Sequence, residues 1–505
     1  MSRDQKRTGA EDTGGLSLGK SSLIGFGGKM SLAIIGFAGL VFFYRSLGPV
    51  GIGIYYTILS VGKVINSLQA GIQTAIKKRV SEVDADQSEF LGLGVVTLVG
   101  VTAIGAVIIA GFAAIGPVLI AFAERFGVQV AAERLVGAPE YLFAALGIAI
   151  SLSAFGLSNQ FYAGIGNPGK SIWVDALRSL LTIGGQAILI VIGFNEFGLV
   201  WGFVIGTVVT AAVLIIPLGI KPTIPSRAVV SRTASFAKWT IPLGFLSNIY
   251  RRLDVIFLTV VLGASVSGVY APALRMTAPA AFVASSISAS LTVKSSGLDS
   301  ENKSVTKHVR NGISYAGLIA VPTFFGALAM PEALMEIIFG PTGRAGAGAL
   351  VGLAVYQIFR SYQYPLGSVI NGTDRPDLLV KITALTIVIN VPLALVLVQS
   401  YGLLGVVAAT VIAEGSRLGL SYVAVANLQG SPGVPREVFE QLFAAVVMFG
   451  VLEGVIEGGI LVPETSVTLG AAIGLGGVLY FAVLSVVSRR FRNTLWTVAG
   501  ETIPV

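Results

Sequence analysis

The 505-residue chain contains no cysteine, a single histidine and few charged residues. Without cysteine, it can form no disulfide, no thiolate nucleophile and no cysteine-ligated metal site. The lone histidine, His308, excludes histidine-cluster metal sites and argues against histidine-based acid–base catalysis. Only 12% of the residues are charged, about half the share in a typical soluble domain. We therefore expect a protein that is not soluble and that needs no metal and no cofactor.

Long apolar runs make up most of the chain: 54% of the residues are hydrophobic, and the mean hydropathy is +0.83. A helix of about 20 apolar residues crosses a bilayer. The runs predict an all-α integral membrane protein with about 14 transmembrane helices. The predicted spans are residues 23–44, 50–72, 92–115, 141–163, 171–193, 199–219, 239–261, 267–290, 312–331, 346–368, 379–399, 403–425, 439–460 and 466–487.

The basic residues predict the orientation. The net charge of +8 would suggest a nucleic-acid partner in a soluble protein, but in a membrane protein it suggests the positive-inside rule. With both termini in the cytoplasm, 22 of the 34 Lys and Arg residues lie on or beside inner segments, and four lie on outer segments. We therefore predict cytoplasmic N and C termini, a multi-pass protein of the plasma membrane, and no nucleic-acid partner.

An internal repeat divides the chain. Leu47–Tyr55 and Leu262–Tyr270 both fit the pattern Leu-Gly-x4-Gly-(Ile/Val)-Tyr, 215 residues apart. Each copy lies between the first and second spans of a six-span block, which predicts two lobes related by a pseudo-two-fold axis along the membrane normal. The predicted organisation is a cytoplasmic tail (1–22), an N-lobe (23–219), an inter-lobe linker (220–238), a C-lobe (239–425), a cytoplasmic loop (426–438), two further helices (439–487) and a C-terminal tail (488–505).

Three segments resemble a known family. Tyr44-Arg45-Ser46-Leu47-Gly48-Pro49 followed by Gly53-Ile54-Tyr55 resembles the opening of the polysaccharide-export flippases, within the multidrug/oligosaccharidyl-lipid/polysaccharide exporter superfamily. The segment from Ile241-Pro242 through Asp254 to Arg275 is similar to the start of their second lobe, and Asn371–Pro376 to the loop after their tenth helix. The resemblance covers nearly the whole chain, and general similarity suggests an archaeal member. It implies a two-lobe, fourteen-helix fold that flips lipid-linked oligosaccharides from the cytoplasmic to the outer leaflet.

Ionisable residues inside the spans are the first candidates for a site, since each costs about 2.5–3.5 kcal/mol to insert at mid-span. Five bases have no acid three or four residues away, and they come from both predicted lobes. These are Lys29, Lys63, Arg252, Arg275 and Arg360. We expect them to line a central cavity and to bind the phosphate or pyrophosphate of a polyprenyl-linked glycan. The alternatives are pairing with acids on other helices and, for Lys29 and Arg275, reaching the membrane surface.

Three acid–base pairs lie at i,i+3 spacing, on one helical face each. Asp175–Arg178 and Glu414–Arg417 are interpreted as locally neutralised pairs; the third is Arg251–Asp254. Asp175 and Asp254 are also candidate carboxylates for coupling transport to H⁺ or Na⁺.

Polar and aromatic residues inside the spans are candidate contacts for the sugar. They are Asn66, Gln69, Gln73, Asn248, Tyr250, Gln357, Tyr362 and Gln363. The first three step by three and four residues and form one polar stripe with Lys63. Hydrogen bonding between helices is an equally good explanation of such a stripe.

A lipid-linked oligosaccharide flippase is the leading hypothesis, with the glycan lipid and membrane lipids as partners and glycan assembly enzymes as further candidates. The alternative is a cation-coupled drug or small-molecule exporter, although its site should favour acidic residues. A polysaccharide polymerase or ligase is disfavoured because the longest outer segment, 124–140, is short, so we predict a transporter and not an enzyme. Gly164–Ser171 fits the phosphate-loop pattern but lies in a turn between spans, so no nucleotide partner is expected.

Overall fold

The computed structural model describes residues 14–82, 86–125, 139–301 and 303–494. This part of the chain consists of helices and short connections without a strand, as the sequence predicts. Its first half contains α1 (Gly14–Val80), α2 (Gln87–Arg125), α3 (Pro139–Gly164), α4 (Pro168–Val191) and α5 (Asn195–Ile215).

The second half begins with α6 and continues through shorter helices to the C-terminal pair. Its helices are α6 (Arg227–Leu262), α7 (Ala264–Thr277), α8 (Phe282–Ser300), α9 (Thr306–Ala316), α10 (Ala320–Ala329), α11 (Pro331–Phe339), α12 (Ala347–Gly372), α13 (Pro376–Gln429), α14 (Arg436–Glu457) and α15 (Ser466–Val487). Short 3₁₀ turns follow α5, α7 and α11.

Two glycines kink the long helices α1 and α13. Gly48 has φ +66° and Gly402 has φ +53°, a left-handed conformation that glycine adopts without a steric penalty. Each kink falls between two predicted spans, and each helix is long enough for two crossings. Among the described residues, ten helical segments are long and apolar enough to cross a membrane. Twelve of the fourteen predicted spans each lie on one observed helix, apart from a few terminal residues. The span 267–290 is interrupted by a 3₁₀ turn at Ala278–Ala281, and the span 312–331 by the connection between α9 and α10.

Helix α6 begins at Arg227, inside the segment 220–238 that is predicted to be the inter-lobe linker. Ser226 caps this helix: its hydroxyl accepts a hydrogen bond from the backbone N–H of Val229 at 3.4 Å. A serine before a run of helix-forming residues was the signal for this start.

The kinked helix α1 lies at the centre of the bundle and packs against α3 from its own half and against α6 and α7 from the other half. One apolar cluster crosses between the halves and includes Ile52, Leu258 and Leu353. Large apolar side chains such as Val107, Ile188 and Val396 face outward, as expected for helices surrounded by lipid.

The helix ends collect at two ends of the bundle. We call the end with Gly48, Gly263 and Gly340 the Gly48 end. The opposite end, which we call the Glu82 end, joins α1 to α6: Glu82 forms an ion pair with Arg232 at 2.7 Å.

Candidate functional site

A cavity of about 650 Å³ opens between the two halves. Helices α1, α4 and α5 line it from the first half, and α7 and the start of α8 line it from the second. The charged residues among its described lining are Lys63, Arg178 and Arg275, and none of the described lining residues is a carboxylate. The wall is therefore cationic.

Helical spacing places two of these cations. On α1, Leu59 and Lys63 lie four residues apart and share the cavity face. On α4, Arg178, Thr182 and Gln186 repeat at the same spacing and line the cavity together. The third cation, Arg275, lies in the last turn of α7.

Asp175 braces Arg178. The Nε and Nη2 atoms of Arg178 donate to Asp175 Oδ1 at 3.1 and 2.9 Å, and the guanidinium lies 4.9 Å from the centroid of the Phe155 ring. The predicted Asp175–Arg178 pair is thus confirmed. Arg178 was not predicted as a cavity base because this pair makes its charge look neutralised in the sequence. The four-residue spacing to Thr182 and Gln186 was the available signal.

The cations of this region face one another. Arg252, Arg275, Arg178 and Arg251 all lie near enough to Lys63 to oppose its positive charge. Within the described residues, Lys63, Arg252 and Arg275 take part in no ion pair. The Nε of Arg252 is buried and has no hydrogen-bond partner. Like charges in such proximity repel one another, and a bound anion would relieve the repulsion.

Arg275 is exposed to the cavity, and its guanidinium lies 5.9 Å from the centroid of the Tyr56 ring. Next to it, Gln186 Nε2 donates to the Tyr55 hydroxyl at 2.8 Å, across α1 and α4. The cavity wall beside the cations therefore consists of aromatic rings and neutral polar groups.

Three of the five predicted cavity bases are not among the described lining residues. Arg252 lies near Lys63, but it is not part of the wall. The structure does not place Arg360 on this wall. Arg360 donates to the hydroxyls of Tyr356 and Tyr364, at 3.2 and 3.1 Å. These two tyrosines lie on α12 itself, one turn before and one turn after Arg360. Lys29 belongs to α1, but its side chain lies outside the described residues.

A carboxylate site lies in the second half. Asp254 Oδ2 accepts hydrogen bonds from the Tyr270 hydroxyl at 2.6 Å and from Thr410 Oγ1 at 3.0 Å. Asn390 Nδ2 lies 3.4 Å from Thr410 Oγ1, and the Asn390 Oδ1 is buried without a partner. Although Arg251 shares a helical face with Asp254, it donates instead to Asn248 Oδ1 at 3.2 Å.

Glu414 carries a second carboxylate, and its side chain is fully buried. It accepts a hydrogen bond from the Tyr250 hydroxyl at 2.6 Å and lies 3.8 Å from Arg417. The predicted Glu414–Arg417 pair is confirmed, and Tyr250 packs against this pair, away from the cavity wall.

The predicted sugar contacts do not line the cavity. In the stripe on α1, Asn66 Oδ1 accepts from Ser153 Oγ at 2.8 Å, and Gln73 Nε2 donates to the Ser153 carbonyl at 2.8 Å. Gln69 donates to the Gly94 carbonyl at 3.1 Å. These bonds join α1 to α2 and α3, so the structure favours the interhelical role. The other predicted contacts away from the lining are Asn248, Gln357, Tyr362 and Gln363.

A second pocket of about 330 Å³ lies between α7, α10, α11, α12, α14 and α15 in the second half. It is lined mainly by apolar side chains such as Met276, Leu350, Met448 and Leu452. No residue of its described lining carries a charge.

Comparison with known proteins supports the family resemblance. The sequence profile of a family described as "Polysaccharide biosynthesis protein" matches residues 138–342. The probable low-salt glycan biosynthesis flippase Agl15 of Haloferax volcanii is 23% identical, over 79% of this chain and 81% of its own length. The probable flippase AglR of the same organism is 24% identical, over 86% of this chain and 90% of its own length.

Solved structures share the fold. The lipid II flippase MurJ in its inward closed conformation superposes with a TM-score of 0.73 at 14% identity, over 94% of this chain and 100% of that chain. An inward-facing multidrug resistance MATE transporter of the MOP superfamily gives 0.60 at 17% identity, over 79% and 94%. The resemblance inferred from the motifs, to polysaccharide flippases of this superfamily, is confirmed.

Proposed function

We propose that this protein flips a lipid-linked oligosaccharide from the cytoplasmic to the outer leaflet by alternating access, and that Lys63, Arg178 and Arg275 bind the phosphate head of the lipid carrier. One observation carries the proposal: the cavity between the halves is lined by cations and, among its described lining, by no carboxylate. The relatives named as flippases support the same function.

The charge of the cavity also separates this function from drug export. A guanidinium matches phosphate oxygens with parallel, charge-assisted hydrogen bonds. At 4 Å and an effective dielectric constant of about 20, two unit charges interact by about 4 kcal/mol. The wall would therefore attract a phosphate and repel a cationic drug by amounts of that order.

We extend the proposal to fourteen crossings. Kinks at Gly48 and Gly402 turn two of the ten apolar segments into four crossings. Helices α6 and α12 supply two more; their polar and charged residues lower their hydropathy. On this basis residues 23–219 and 239–425 are the two six-helix lobes, and 439–487 are the additional pair.

We place the Glu82 end in the cytoplasm, together with both termini. Basic groups such as Lys77–Arg79 and Arg232 lie at this end, whereas Arg45 and Arg344 lie at the Gly48 end. The excess of positive charge at the Glu82 end supports this orientation.

Asp254 is our candidate for the coupling carboxylate. Its carboxylate, the Thr410 hydroxyl and the unpartnered amide oxygen of Asn390 supply oxygen atoms of the kind that bind a hard cation or exchange a proton. Asp175 is a weaker candidate because it is paired with Arg178 and its side chain is 52% exposed.

The test replaces the three cavity cations singly: Lys63→Gln, Arg178→Gln and Arg275→Gln. Purified variants in liposomes receive a short-chain polyprenyl-phosphate glycan in the outer leaflet, and a membrane-impermeant lectin reports how much remains there. Each variant should flip the glycan lipid more slowly than the unmodified protein. Arg344→Gln, an exposed position at the Gly48 end, is the matched control and should flip normally. If all three cavity variants flip at the normal rate, the phosphate-binding role is excluded.

A further inference from the structure

The two copies of the repeated motif touch each other. Gly53, in the first copy, lies against Ala264 in the second, and Gly268, in the second copy, lies against Pro49 in the first. The repeat offset of 215 residues converts one contact into the other. A reciprocal contact of this kind is what a two-fold arrangement of similar elements produces. We call these four residues the seam.

The seam brings two helix backbones into direct contact. A Cβ atom on Gly53 would overlap the carbonyl oxygen of Ala264, and one on Gly268 would overlap the carbonyl oxygen of Pro49. Neither glycine has a positive φ. What the position requires is the absence of a side chain, which is how small residues let membrane helices approach closely.

Hydroxyl groups continue the contact toward the interior. The Thr57 and Thr259 hydroxyl oxygens lie 2.6 Å apart, and Thr259 Oγ1 donates to Ser267 Oγ at 2.7 Å. Thr57 belongs to the first half of the chain, whereas Thr259 and Ser267 belong to the second. This buried chain therefore crosses between the halves.

Tyr44 and Arg45, which we call the strap, join α1 to the end of α11 at the Gly48 end. Arg45 donates through Nε to the Ile338 carbonyl at 3.0 Å and through Nη2 to the Ile337 carbonyl at 2.6 Å. These carbonyls end α11, where the helix dipole favours a cation. The Tyr44 ring packs edge-on against Phe339 at 5.3 Å. The strap thus also joins the first half to the second.

The cavity begins directly on the other side of the seam. Ile52, Tyr55 and Tyr56 line it, followed by Leu59 and Lys63 further along α1. The seam and its strap therefore separate the cationic wall from the Gly48 end.

We propose that the seam is the outer gate of the transporter, closed in this structure, and that the two motif copies separate when the cavity opens to the outer leaflet. This inference rests on the proposed alternating access. The seam itself consists of small residues in van der Waals contact, so separating it breaks few strong interactions. The motif is repeated because each lobe supplies one half of the same contact.

Disulfide cross-linking tests the gate, and the chain has no cysteine of its own to interfere. In the variant Thr57→Cys/Thr259→Cys, the positions of the two hydroxyls suit a disulfide between the halves. Oxidation should reduce flipping at least tenfold, and reduction should restore it. The matched control, Thr259→Cys/Ser267→Cys, shares one position but forms its disulfide within the second half. Oxidation of the control should leave its flipping rate unchanged.

The outcomes separate the gate from the function. If the fully oxidised inter-half variant flips as fast as its reduced form, the gate is overturned. If the unmodified protein does not flip the glycan lipid, the proposed function fails, but the gate is still tested by pulsed electron paramagnetic resonance. Spin labels attached through unnatural amino acids at Val50 and Val266 of the variant Thr57→Cys/Thr259→Cys should show a second, longer distance that disappears when this variant is oxidised. A single unchanged distance under both conditions would also overturn the gate.

A second pair of variants avoids cross-linking. Gly53→Ala and Gly268→Ala force the backbones apart, whereas Gly100→Ala adds a methyl group where no atom lies within 4 Å. With Ser267→Cys as a reporter in each background, the labelling rate with a membrane-impermeant thiol reagent added outside should rise several-fold in the two seam variants. It should remain unchanged with Gly100→Ala. Equal labelling in all three backgrounds contradicts the gate.

Discussion

Arg178 provides the most direct quantitative test of the cationic cavity. Two of its guanidinium nitrogens are held by Asp175, its side chain is 19% exposed, and the Phe155 ring lies against it. The remaining nitrogen, Nη1, is free to donate to a ligand in the cavity. A hydrogen bond between charged groups contributes about 1.5–3 kcal/mol. Since 1.4 kcal/mol corresponds to a factor of ten, Arg178→Gln should weaken binding of a polyprenyl phosphate about 10- to 150-fold.

The assay is equilibrium binding of a fluorescent short-chain polyprenyl phosphate to the purified protein, at two salt concentrations. Arg178→Lys keeps the charge but loses the fork held by Asp175, so its affinity should fall between those of the unmodified protein and Arg178→Gln. The salt dependence should be smaller for Arg178→Gln, because one cation has left the site. Equal affinity and equal salt dependence for all three proteins would refute the assignment of Arg178 to the phosphate.

Three further predictions concern coupling, packing and pH. Asp254→Asn should keep glycan-lipid binding but abolish the dependence of flipping on an H⁺ or Na⁺ gradient; an unchanged gradient dependence in liposomes would exclude this carboxylate. Gly202→Ala should destabilise the protein by about 1–3 kcal/mol, seen as a lower Tm, because its Cβ would press into the backbone of α4, whereas Gly184→Ala meets no atom within 4 Å and should not. The hydrogen bond from Arg79 lowers the pKa of Glu82. Glu82 therefore stabilises the folded protein at neutral pH, and this stabilisation is lost as the pH falls through the lowered pKa. When Tm is measured at decreasing pH, it should therefore fall less for Glu82→Gln than for the unmodified protein.

The helices were predictable because lipid imposes a simple rule: a span must be about 20 apolar residues long and satisfy its own backbone hydrogen bonds. Gly48 and Gly402 could be placed between spans for the same reason. The start of α6 at Arg227 was not recognised, since the polar first turns of that helix do not resemble a span, and only the Ser226 cap marks it.

The side-chain environment was less predictable than the helices. Spacing shows which residues share a face of one helix, but not what that face meets. Gln69 and Gln73 therefore fitted both a wet cavity and a helix interface, and only the positions of Gly94 and Ser153 decide between them. Arg178 was overlooked for the opposite reason. Its acid at i−3, Asp175, contacts only two of the three guanidinium nitrogens, so the paired arginine still lines the cavity.

Helix α6 and the second motif copy connect the three features on which transport would depend. On α6, Arg252 lies near Lys63 of the cavity wall, Asp254 is the carboxylate site, and Thr259 belongs to the hydroxyl chain beside the seam. The first and last of these positions are seven residues apart, which is about 10 Å along the helix. Tyr270, the last residue of the motif, donates to Asp254 and is two residues from Gly268 of the seam. A proton or cation bound at Asp254 would compete for the carboxylate oxygen that Tyr270 now uses. A proton or cation at Asp254 would therefore affect the seam contact of Gly268 through Tyr270. This coupling would not require any contact with the glycan.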